Sequence, residues 1–350
     1  MAILITFVKI PALTKVLIIR FSSIGDIVLT TPVIRAVKEQ LNGAELHFLT
    51  KRSFKPVIEG NPHIDKIYAI EKRIGEVMPQ LREENYDFIL DLHKNFRSMG
   101  VRFRLRKKTF SFPKLNFEKW LLVRFRLNRL PDIHIVDRYF KAAGPLGVSN
   151  DGMGLDYYIP GDIEVKTGSI RSFLQDGYVA FVVGAKHNTK ALPEEKIIDI
   201  CKKLNYPVAL LGGPADHERG EKVFDAVRND IVNLCGKFDI NVSASFIRQA
   251  KVVITHDTGL MHIAAAYNKN IISVWGNTVP EFGMYPYLPE GKGRSEIFEV
   301  KGLSCRPCSK IGFDKCPKGH FKCMMQIDDD EVVRKVMEML GRQSALGSRQ

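Results

Sequence analysis

The chain has 350 residues, of which 45% are hydrophobic, enough for about two domains with separate cores. Its 52 basic and 39 acidic residues give a net charge of +13 and a pI near 9.4, which indicates a polyanionic partner: nucleic acid, an anionic membrane surface or an acidic substrate. Because neither a G-x-G-x-x-G nor a Walker A motif occurs, a dinucleotide-dependent oxidoreductase and a P-loop NTPase are disfavoured.

The chain opens with an apolar stretch, Met1–Val8, that Lys9 and Pro11 interrupt. It falls short of the ~20 apolar residues of a membrane-spanning helix, and it lacks the early basic region of a signal peptide. We therefore expect residues 1–14 to be a disordered or spurious extension, and the protein to be cytoplasmic.

Alternating strands and helices fill the first part of the chain. Lys15–Phe21 is typical of a strand buried on both faces in a parallel sheet, and a turn at Ser22–Asp26 and a helix over about Ile27–Leu41 follow it. Further predicted elements are strand Glu45–Thr50, a helix around Phe54–Glu59, strand Lys66–Ile70, a helix near Ile74–Glu84 and strand Phe88–Leu92. This alternation predicts a doubly wound parallel sheet with ligands at the carboxyl ends of the strands, where Asp26 and Asp91–His93 fall.

The segment 94–129 is strongly basic and interleaved with aromatic residues, and Glu118 is its single acidic residue. Its basic residues are Lys94, Arg97, Arg102, Arg104, Arg106, Lys107, Lys108, Lys114, Lys119, Arg124, Arg126 and Arg129. The pattern fits a solvated helical face with an aromatic inner side, but such an imbalance favours a surface that faces an anion. Basic and aromatic residues together could also clamp single-stranded nucleic acid.

Turn-forming residues over Gly144–Gly154 mark a boundary region that runs to about Gly161, after which a second alternating series begins. Its predicted elements are strand Tyr178–Val183, a helix over about Pro193–Leu204, strand Val208–Leu211, a helix over about Arg219–Val227 and a last helix at Glu331–Leu340. We expect two Rossmann-like domains, residues 15–160 and 161–342, that face each other across a cleft.

A strand, a tight polar turn, a small-residue helix and another strand follow one another over Ala250–Gly276. The turn at Thr255–Gly259 would present backbone N–H groups at a helix N-terminus, where the helix dipole favours a phosphate. The alternative is an ordinary helix that Asp257 or Thr258 caps, with His262 merely packed.

Two separated motifs, Phe21–Pro32 and Asp257–His262, resemble glycosyltransferase family 9, the lipopolysaccharide heptosyltransferases. Lys190–Pro193 and Gly212–Glu218 lie in the expected order between them, and the resemblance covers the chain from Lys15 to about Leu340. It implies the GT-B fold of two Rossmann-like domains. It also implies transfer of heptose from ADP-heptose, with inversion, to the lipopolysaccharide inner core, that is, to Kdo-lipid A or a heptosyl acceptor.

The resemblance also implies roles for individual residues. Asp26 matches the family's base, and its alternative role is a helix N-cap. The donor-binding positions are Lys190, Glu218, Asp257, Thr258, Gly259, Leu260 and His262. Lys190 would contact the diphosphate, and Glu218 would contact the ribose hydroxyls. Asp216 lies only two residues earlier, so either of these two acidic residues could be the one at the ribose. Where known members have a pair of hydroxyl residues, this chain has Ala185 and Lys186, so part of the phosphate shell differs.

On the acceptor side, Lys72, Arg73 and Arg97 match basic positions that face acidic sugars. All three should lie at carboxyl ends of first-domain strands, on the cleft side. The run Arg102–Lys108, with its aromatic neighbours, would then meet lipid phosphates and the cytoplasmic surface of the inner membrane.

We expect no metal in catalysis, because the single D-x-D pattern, Asp328–Asp330, precedes the last helix and is better explained as an N-cap. Cys201 and Cys235 are expected to be buried thiols. The cysteines of the segment from residue 305 to residue 323, with His320 among them, could hold a structural zinc or could remain reduced thiols. These cysteines are Cys305, Cys308, Cys316 and Cys323.

Two functional hypotheses follow. The first is a metal-independent glycosyltransferase that takes ADP-heptose and an anionic lipid-linked oligosaccharide, with no nucleic-acid partner. The second is a nucleic-acid-binding protein that uses residues 94–129. The first is favoured because the second leaves the paired motifs at Asp26 and Asp257 without a role.

Overall fold

The computed structural model describes residues 13–162 and 164–341, which form two compact units. Unit 1 contains the described residues up to Leu115 together with Ile133–Gly161, and unit 2 contains Asn116–Asp132 and the described residues from Asp162 onward. Residues 1–12 of the expected N-terminal extension lie outside the described part. Among the described residues, no helix is both long and apolar enough to cross a membrane.

Strands and helices are numbered here in chain order. The strands are β1 (Lys15–Ile19), β2 (Glu45–Lys51), β3 (Lys66–Ile70), β4 (Phe88–Asp91), β5 (Lys108–Ser111), β6 (Val179–Val182), β7 (Val208–Leu211), β8 (Ile231–Asn233), β9 (Val252–His256), β10 (Asn270–Trp275) and β11 (Ser295–Glu299). The α-helices are α1 (Ile24–Val28), α2 (Thr31–Gln40), α3 (Met78–Glu83), α4 (Phe96–Leu105), α5 (Asn116–Phe125), α6 (Ile135–Ala143), α7 (Thr167–Ile170), α8 (Glu194–Leu204), α9 (His217–Val227), α10 (Ile240–Gln249), α11 (Gly259–Ala266), α12 (Lys322–Met325) and α13 (Asp329–Met339).

The sheet of unit 1 has the order β3-β2-β1-β4-β5, and all its neighbouring strands are parallel. Ile19 of β1 pairs with Leu49 on one side and with Asp91 on the other. The strand order reverses between β1 and β4, and ligands of such sheets bind at this switch point, outside the carboxyl ends of the strands. The turn that carries Asp26 therefore emerges at the expected ligand edge.

The sheet of unit 2 has the order β11-β10-β9-β6-β7-β8, again with parallel neighbours. If β6 is counted as the first strand of this unit, the order is that of a six-stranded Rossmann sheet, and the switch point lies between β6 and β9. The loops that follow these two strands carry Lys190 and Asp257. The predicted fold class, two doubly wound parallel-sheet domains, is confirmed.

The first predicted helix, Ile27–Leu41, is wrong as a single element. The chain forms α1, breaks at Leu29 and Thr30, and restarts as α2 with Pro32 in its first turn. Proline has no N–H and its ring collides with the carbonyl four residues earlier, so a helix tolerates it only at its start.

Prolines also correct two other predicted helices. The helix expected at Phe54–Glu59 is a 3-10 helix over Arg52–Val57 that contains Pro56. The helix expected at Ile74–Glu84 is a 3-10 turn over Ile74–Glu76 followed by α3, which has Pro79 in its first turn. The restart of the helix at Pro79 is the same effect that separates α1 from α2, whereas Pro56 lies inside its short 3-10 helix.

The sequence predicted that the basic segment 94–129 belongs as a whole to the first domain, and this is wrong. Its first part forms α4 and the edge strand β5 in unit 1, whereas α5 belongs to unit 2. There Leu122 packs with Val279 and Phe282 of the same unit. The packing of Leu122 of α5 therefore places this helix in the core of unit 2.

Candidate active site

Asp26 is the third residue of α1 and is held by residues close to it in the chain. The N-cap residue is Ser23, so the alternative role of Asp26 as a helix N-cap is wrong. One carboxylate oxygen is 2.6 Å from a guanidinium nitrogen of Arg20. The other accepts hydrogen bonds from the Ser23 hydroxyl at 2.8 Å and from the Ser23 N–H at 3.1 Å. The side chain is 21% exposed, so a ligand can still reach it.

The ionisation of Asp26 follows from these contacts. Burial by itself raises the pKa of Asp26, but the charge of Arg20 and the bonds from Ser23 outweigh it and hold the pKa below its ordinary value. Asp26 is therefore a carboxylate at neutral pH. Arg20 is itself fixed by the Leu92 carbonyl at 2.5 Å and the Tyr139 hydroxyl at 2.9 Å.

Further cationic residues surround Asp26 at this edge of the sheet. Lys114 donates to the carbonyls of His93 and Lys94 at 3.1 Å each. The Arg97 guanidinium lies 5.6 Å from the centre of the Phe21 ring. Burial lowers the pKa of His93 to about 3, and the charges of Arg20 and Lys114 act in the same direction, so His93 is neutral. The result is a basic patch around one carboxylate.

Asp91, which the sequence placed at the same ligand edge, has a structural role. It is fully buried and accepts hydrogen bonds from the N–H groups of His93 at 3.1 Å and Lys94 at 2.7 Å and from the Ser98 hydroxyl at 2.8 Å. Arg102 also approaches it at 3.5 Å. These bonds shape the turn between β4 and α4, and they leave Asp91 no access to a ligand.

The predicted acceptor residues lie where the chain leaves two strands of unit 1. Lys72 and Arg73 are exposed and follow β3, and Glu76 accepts from both of their N–H groups, at 3.0 and 2.7 Å. Arg97 follows β4, in the first turn of α4. All three therefore lie at carboxyl ends of strands, and their contact with an acceptor stays a prediction.

In unit 2, Asp257 is held by residues far away in the chain. Its Oδ2 accepts from Lys190 Nζ at 2.6 Å and from the Thr278 hydroxyl at 2.9 Å. The side chains of Lys190 and Asp257 are 15% and 12% exposed, so the ion pair is largely screened from solvent. The pair lies at the switch point of the second sheet, because Lys190 follows β6 and Asp257 follows β9.

The N-terminus of α11 offers backbone donors beside this pair. Thr258 is the N-cap residue, but its hydroxyl contacts Thr255 at 3.3 Å and does not cap the helix. The first N–H groups of a helix, here those of Gly259 and Leu260, have no acceptor within it. The Thr258 side chain therefore does not cap α11, and the alternative of an ordinary capped helix is wrong for this residue. The Asp257 side chain does not cap the helix either, because it binds Lys190 and Thr278.

Two other predicted donor residues differ in their surroundings. Glu218 is exposed in the first turn of α9. Asp216 is half-buried: its carboxylate accepts from the Gly213 N–H at 2.8 Å, and a Cβ added to Gly212 would lie 2.8 Å from the Asp216 Cβ. His262 is buried within α11. The roles of Glu218 and His262 beside a donor stay predictions.

The cysteines lie in two environments. Cys201 and Cys235 are buried free thiols, as predicted, and burial raises the pKa of each to about 12. In the later segment, the Cys308 thiol donates to the Cys305 carbonyl at 3.0 Å. Across the described residues, the one group of three or more His, Cys, Asp or Glu with ligand atoms mutually within 4.8 Å is Glu45, His47 and Glu84. In the described structure, no three of these thiols therefore lie mutually within that distance.

That group in unit 1 has cations of its own. Lys15 Nζ and Lys66 Nζ each lie 2.7 Å from a Glu84 oxygen. These hydrogen bonds from Lys15 and Lys66 lower the pKa of Glu84 to about 2. It is an ion-pair network at the start of the strands, opposite to the ligand edge.

The Asp328 side chain accepts from the Glu331 N–H at 3.1 Å, and this confirms the predicted N-cap of α13.

Some site residues were missed by sequence reasoning. Arg20 was predicted only as part of a strand. Because a charged residue in a strand buried on both faces needs a charged or polar partner, its position could have indicated an ion pair with a nearby acidic residue. Lys114 was noted only as one of many basic residues. Thr278 carried no recognisable signal.

Comparison with known proteins places this arrangement in context. The sequence profile of glycosyltransferase family 9 (heptosyltransferase) matches residues 74–311. Lipopolysaccharide heptosyltransferase 1 of Campylobacter coli is 24% identical over 358 aligned positions, which cover 93% of this chain and 99% of its own.

Solved structures give the same picture for the fold. A glycosyl transferase family 9 protein of Veillonella parvula superposes with a TM-score of 0.73 at 19% identity and covers 95% of this chain and 99% of its own. The ADP-heptose lipopolysaccharide heptosyltransferase II of E. coli superposes with a TM-score of 0.67 at 20% identity, and the coverage is 93% and 98%. At these sequence identities, the structural similarity shows the fold alone.

Proposed function

The chain belongs to glycosyltransferase family 9, the heptosyltransferases, and from this premise we propose that it transfers heptose from ADP-heptose to the inner core of lipopolysaccharide. The acceptor is an anionic lipid-linked oligosaccharide, Kdo-lipid A or a heptosylated form of it. Unit 2 binds the nucleotide sugar, and unit 1 binds the acceptor.

The observation that carries this proposal is the Lys190–Asp257 pair beside the uncapped N-terminus of α11. A diphosphate needs positive charge and N–H donors, and a helix N-terminus next to a lysine supplies both. Their place at the switch point of a Rossmann sheet is where such folds bind nucleotides.

The proposed reaction is a single displacement. An acceptor hydroxyl oxygen attacks the anomeric carbon of the heptose while the bond from that carbon to the diphosphate oxygen breaks, and ADP leaves with the electron pair. Asp26 accepts the hydroxyl proton, which suits its ionised state at neutral pH. Lys190 and the α11 N-terminus stabilise the charge that develops on the diphosphate.

On the acceptor side, we propose that Arg97, Lys72 and Arg73 bind the acidic sugars. Arg97 has the strongest support, because it follows β4, a neighbour of the strand that leads to Asp26. Lys72 and Arg73 follow β3, which is two strands from β1 in the sheet order, so they would bind a more distant part of the acceptor.

We also propose a cytoplasmic enzyme that associates with the inner membrane through α4. This helix buries Val101 and Leu105, whereas Phe96, Met99 and Phe103 lie on its opposite face, and Phe96 and Phe103 are 89% and 76% exposed. Such a stripe beside arginines is typical of a helix that lies in a lipid interface. The residues proposed to meet lipid phosphates are Arg104, Arg106, Lys107 and Lys108, because Arg102 is turned toward Asp91.

Catalysis is proposed to need no metal, since the lysine and the helix dipole supply the counter-charge. A structural zinc at Cys305, Cys308, Cys316 and Cys323 stays a separate prediction. It requires that the thiols draw closer together than they are here, and elemental analysis of the purified protein tests it.

The test of the proposed function is to incubate the protein with a panel of nucleotide sugars and truncated core acceptors and to identify products by mass spectrometry. We expect transfer from ADP-heptose to an inner-core acceptor. Transfer from a different nucleotide sugar alone would refute the assigned donor. Tight, steeply salt-dependent binding of single-stranded nucleic acid without any transfer would instead support the alternative based on residues 94–129.

A further inference from the structure

One stretch of the cysteine-rich segment, Arg306–Phe313, packs against the turn that follows β10. Arg306 donates from Nε to the Gly276 carbonyl at 2.6 Å and from Nη2 to the Thr278 carbonyl at 3.0 Å. The N–H of Cys308 donates to the carbonyl between them at 3.1 Å. Three consecutive carbonyl groups of the turn 276–278 are therefore held by two residues of this stretch.

The same stretch holds the loop that carries Lys190. The Thr189 N–H donates to the Phe313 carbonyl at 3.1 Å, and the Phe313 N–H donates to the Thr189 hydroxyl at 2.8 Å. The Thr189 carbonyl in turn accepts from the Asn277 N–H at 3.3 Å. A Cβ on Gly276 would lie 2.7 Å from that carbonyl oxygen, so only glycine allows the two loops to come this close.

Arg306 is the charged centre of these contacts. Its side chain is 6% exposed and pairs with Glu299 at 2.7 Å, so its charge is compensated away from solvent. Its planar guanidinium can satisfy several acceptors in fixed directions at once, which a lysine cannot do. The turn that it fixes carries Thr278, whose hydroxyl donates to Asp257 at 2.9 Å.

We propose that Arg306 is a positioning residue for the donor diphosphate, acting through Thr278 on Asp257. The inference rests on the proposed donor site. The bonds from Lys190 and Thr278 both end on Asp257 Oδ2, and within the described residues no hydrogen bond reaches Oδ1. Fixing the turn 276–278 therefore fixes the carboxylate that holds Lys190, the cation proposed to contact the diphosphate.

Two variants and one probe, ADP, test this proposal. Thr278→Val removes the hydroxyl donor at nearly constant volume. Arg306→Lys keeps a cation beside Glu299 but cannot hold both carbonyls of the turn. We expect each variant to bind ADP about 5- to 20-fold more weakly, the loss of one or two hydrogen bonds, in isothermal titration. The KM for the nucleotide sugar should rise and the KM for the acceptor should stay constant.

Thr278→Ser keeps the hydroxyl and should restore ADP affinity, a result that a purely structural role for Thr278 does not require. The matched control is Arg126→Lys. Arg126 also donates to this segment, at the Ser304 carbonyl (2.9 Å) and the Pro307 carbonyl (3.0 Å), but none of its hydrogen bonds within the described residues reaches the turn 276–278. It should leave ADP affinity unchanged. Thermal unfolding of every variant separates lost binding from lost folding.

If Thr278→Val and Arg306→Lys bind ADP as tightly as the parent, the positioning role is wrong. If Arg306→Lys fails to fold, Thr278→Val decides the question alone. If the parent itself does not bind ADP, the proposed donor is wrong and this inference is lost with it. A parent that binds ADP beside variants that bind equally well therefore refutes the inference and leaves the proposed function standing.

Discussion

Two aspartates with similar surroundings, one in each unit, are fixed in different ways. Asp26 and Asp257 both follow a strand at the switch point of a parallel sheet, and each has a cation 2.6 Å away. The partners of Asp26, Arg20 and Ser23, lie within six residues of it in the chain. By contrast, Asp257 lies 67 residues from Lys190 and 21 from Thr278. One carboxylate is held by its own turn, and the other by the tertiary structure.

This difference suggests a division of roles. A locally held carboxylate with a depressed pKa is a preformed base, whose state depends on few other parts of the chain. A carboxylate held by two other loops responds to whatever moves them, which suits a site that must fit a nucleotide sugar. We therefore expect changes at Asp26 to affect the chemical step and changes at Asp257 to affect donor binding.

The largest expected effect is that of Asp26→Asn. It preserves size and the contact with Ser23 but removes the group that accepts the proton, so turnover should fall by ~10²–10⁴-fold. Single-turnover transfer with saturating donor measures it. Near-normal turnover would leave Asp26 only a structural role, in which its side chain bonds to Ser23, the N-cap residue of α1.

Next in size are Lys190→Ala and Asp257→Asn. Each removes a charged hydrogen bond, worth about 1.5–3 kcal/mol, so the KM for the nucleotide sugar should rise by about 10- to 100-fold. Chelators should leave the parent's activity unchanged. Activity that chelation abolishes and magnesium restores would refute the metal-free scheme, once an effect of zinc on folding through the cysteines has been measured separately.

A smaller effect is expected for the acceptor residue Arg97. Arg97→Ala should raise the KM for the acceptor by roughly 10-fold and leave ADP affinity unchanged, because one charged contact is lost on the acceptor side only. Initial rates at varied acceptor concentration measure this. A change in the KM for the nucleotide sugar alone would place Arg97 with the donor.

Membrane binding tests the basic residues at the end of α4 and after it, which belong to neither aspartate's set of contacts. Each basic residue near an anionic surface contributes about 1 kcal/mol, which salt screens, so replacing Arg104, Arg106, Lys107 and Lys108 by glutamine should weaken vesicle binding about 10-fold or more at low salt. Sedimentation with phosphatidylglycerol-containing vesicles measures it. The control replaces four exposed lysines elsewhere, namely Lys202, Lys237, Lys251 and Lys292. Equal binding by the quadruple variant and the parent would make this run only a solvated face.

The smallest effect concerns pH. Because the folded pKa of Asp26 is depressed, the carboxylate and its pairing with Arg20 persist through the ordinary carboxyl range. The stability that this pairing contributes is complete above the unfolded pKa and is lost as the pH falls through the lower, folded pKa. Arg20→Met should raise the pKa of Asp26, because the neighbouring positive charge is lost, and move the acid limb of kcat/KM toward neutral pH. Tyr139→Phe, which removes a partner of Arg20 but not of Asp26, should leave the limb in place. An unmoved limb in Arg20→Met would mean that Arg20 does not set the ionisation of Asp26.

The contrast between the two aspartates also explains what could be predicted from sequence. Asp26 and its turn are local features of one motif, so their place was predictable, and the restart of helices at Pro32 and Pro79 followed from a rule that was available. The contact from Thr278 to Asp257 exists because β10 lies beside β9 in the sheet. The order of strands depends on the whole domain, and it cannot be predicted from the residues near Thr278.

The packing of α5 with unit 2 was unpredictable for the same reason. Its basic and aromatic composition continues that of α4, and composition does not reveal that Leu122 contacts Val279 and Phe282. Arg306 is a related case, since a segment read for its cysteines holds the donor loops through an arginine and backbone groups.

The most direct test of this division of roles is an ADP titration by calorimetry of the parent, Asp26→Asn and Asp257→Asn. The account predicts that Asp26→Asn binds ADP as the parent does while it fails to transfer heptose, and that Asp257→Asn binds ADP markedly more weakly. Loss of ADP binding in Asp26→Asn together with parental affinity in Asp257→Asn would contradict it.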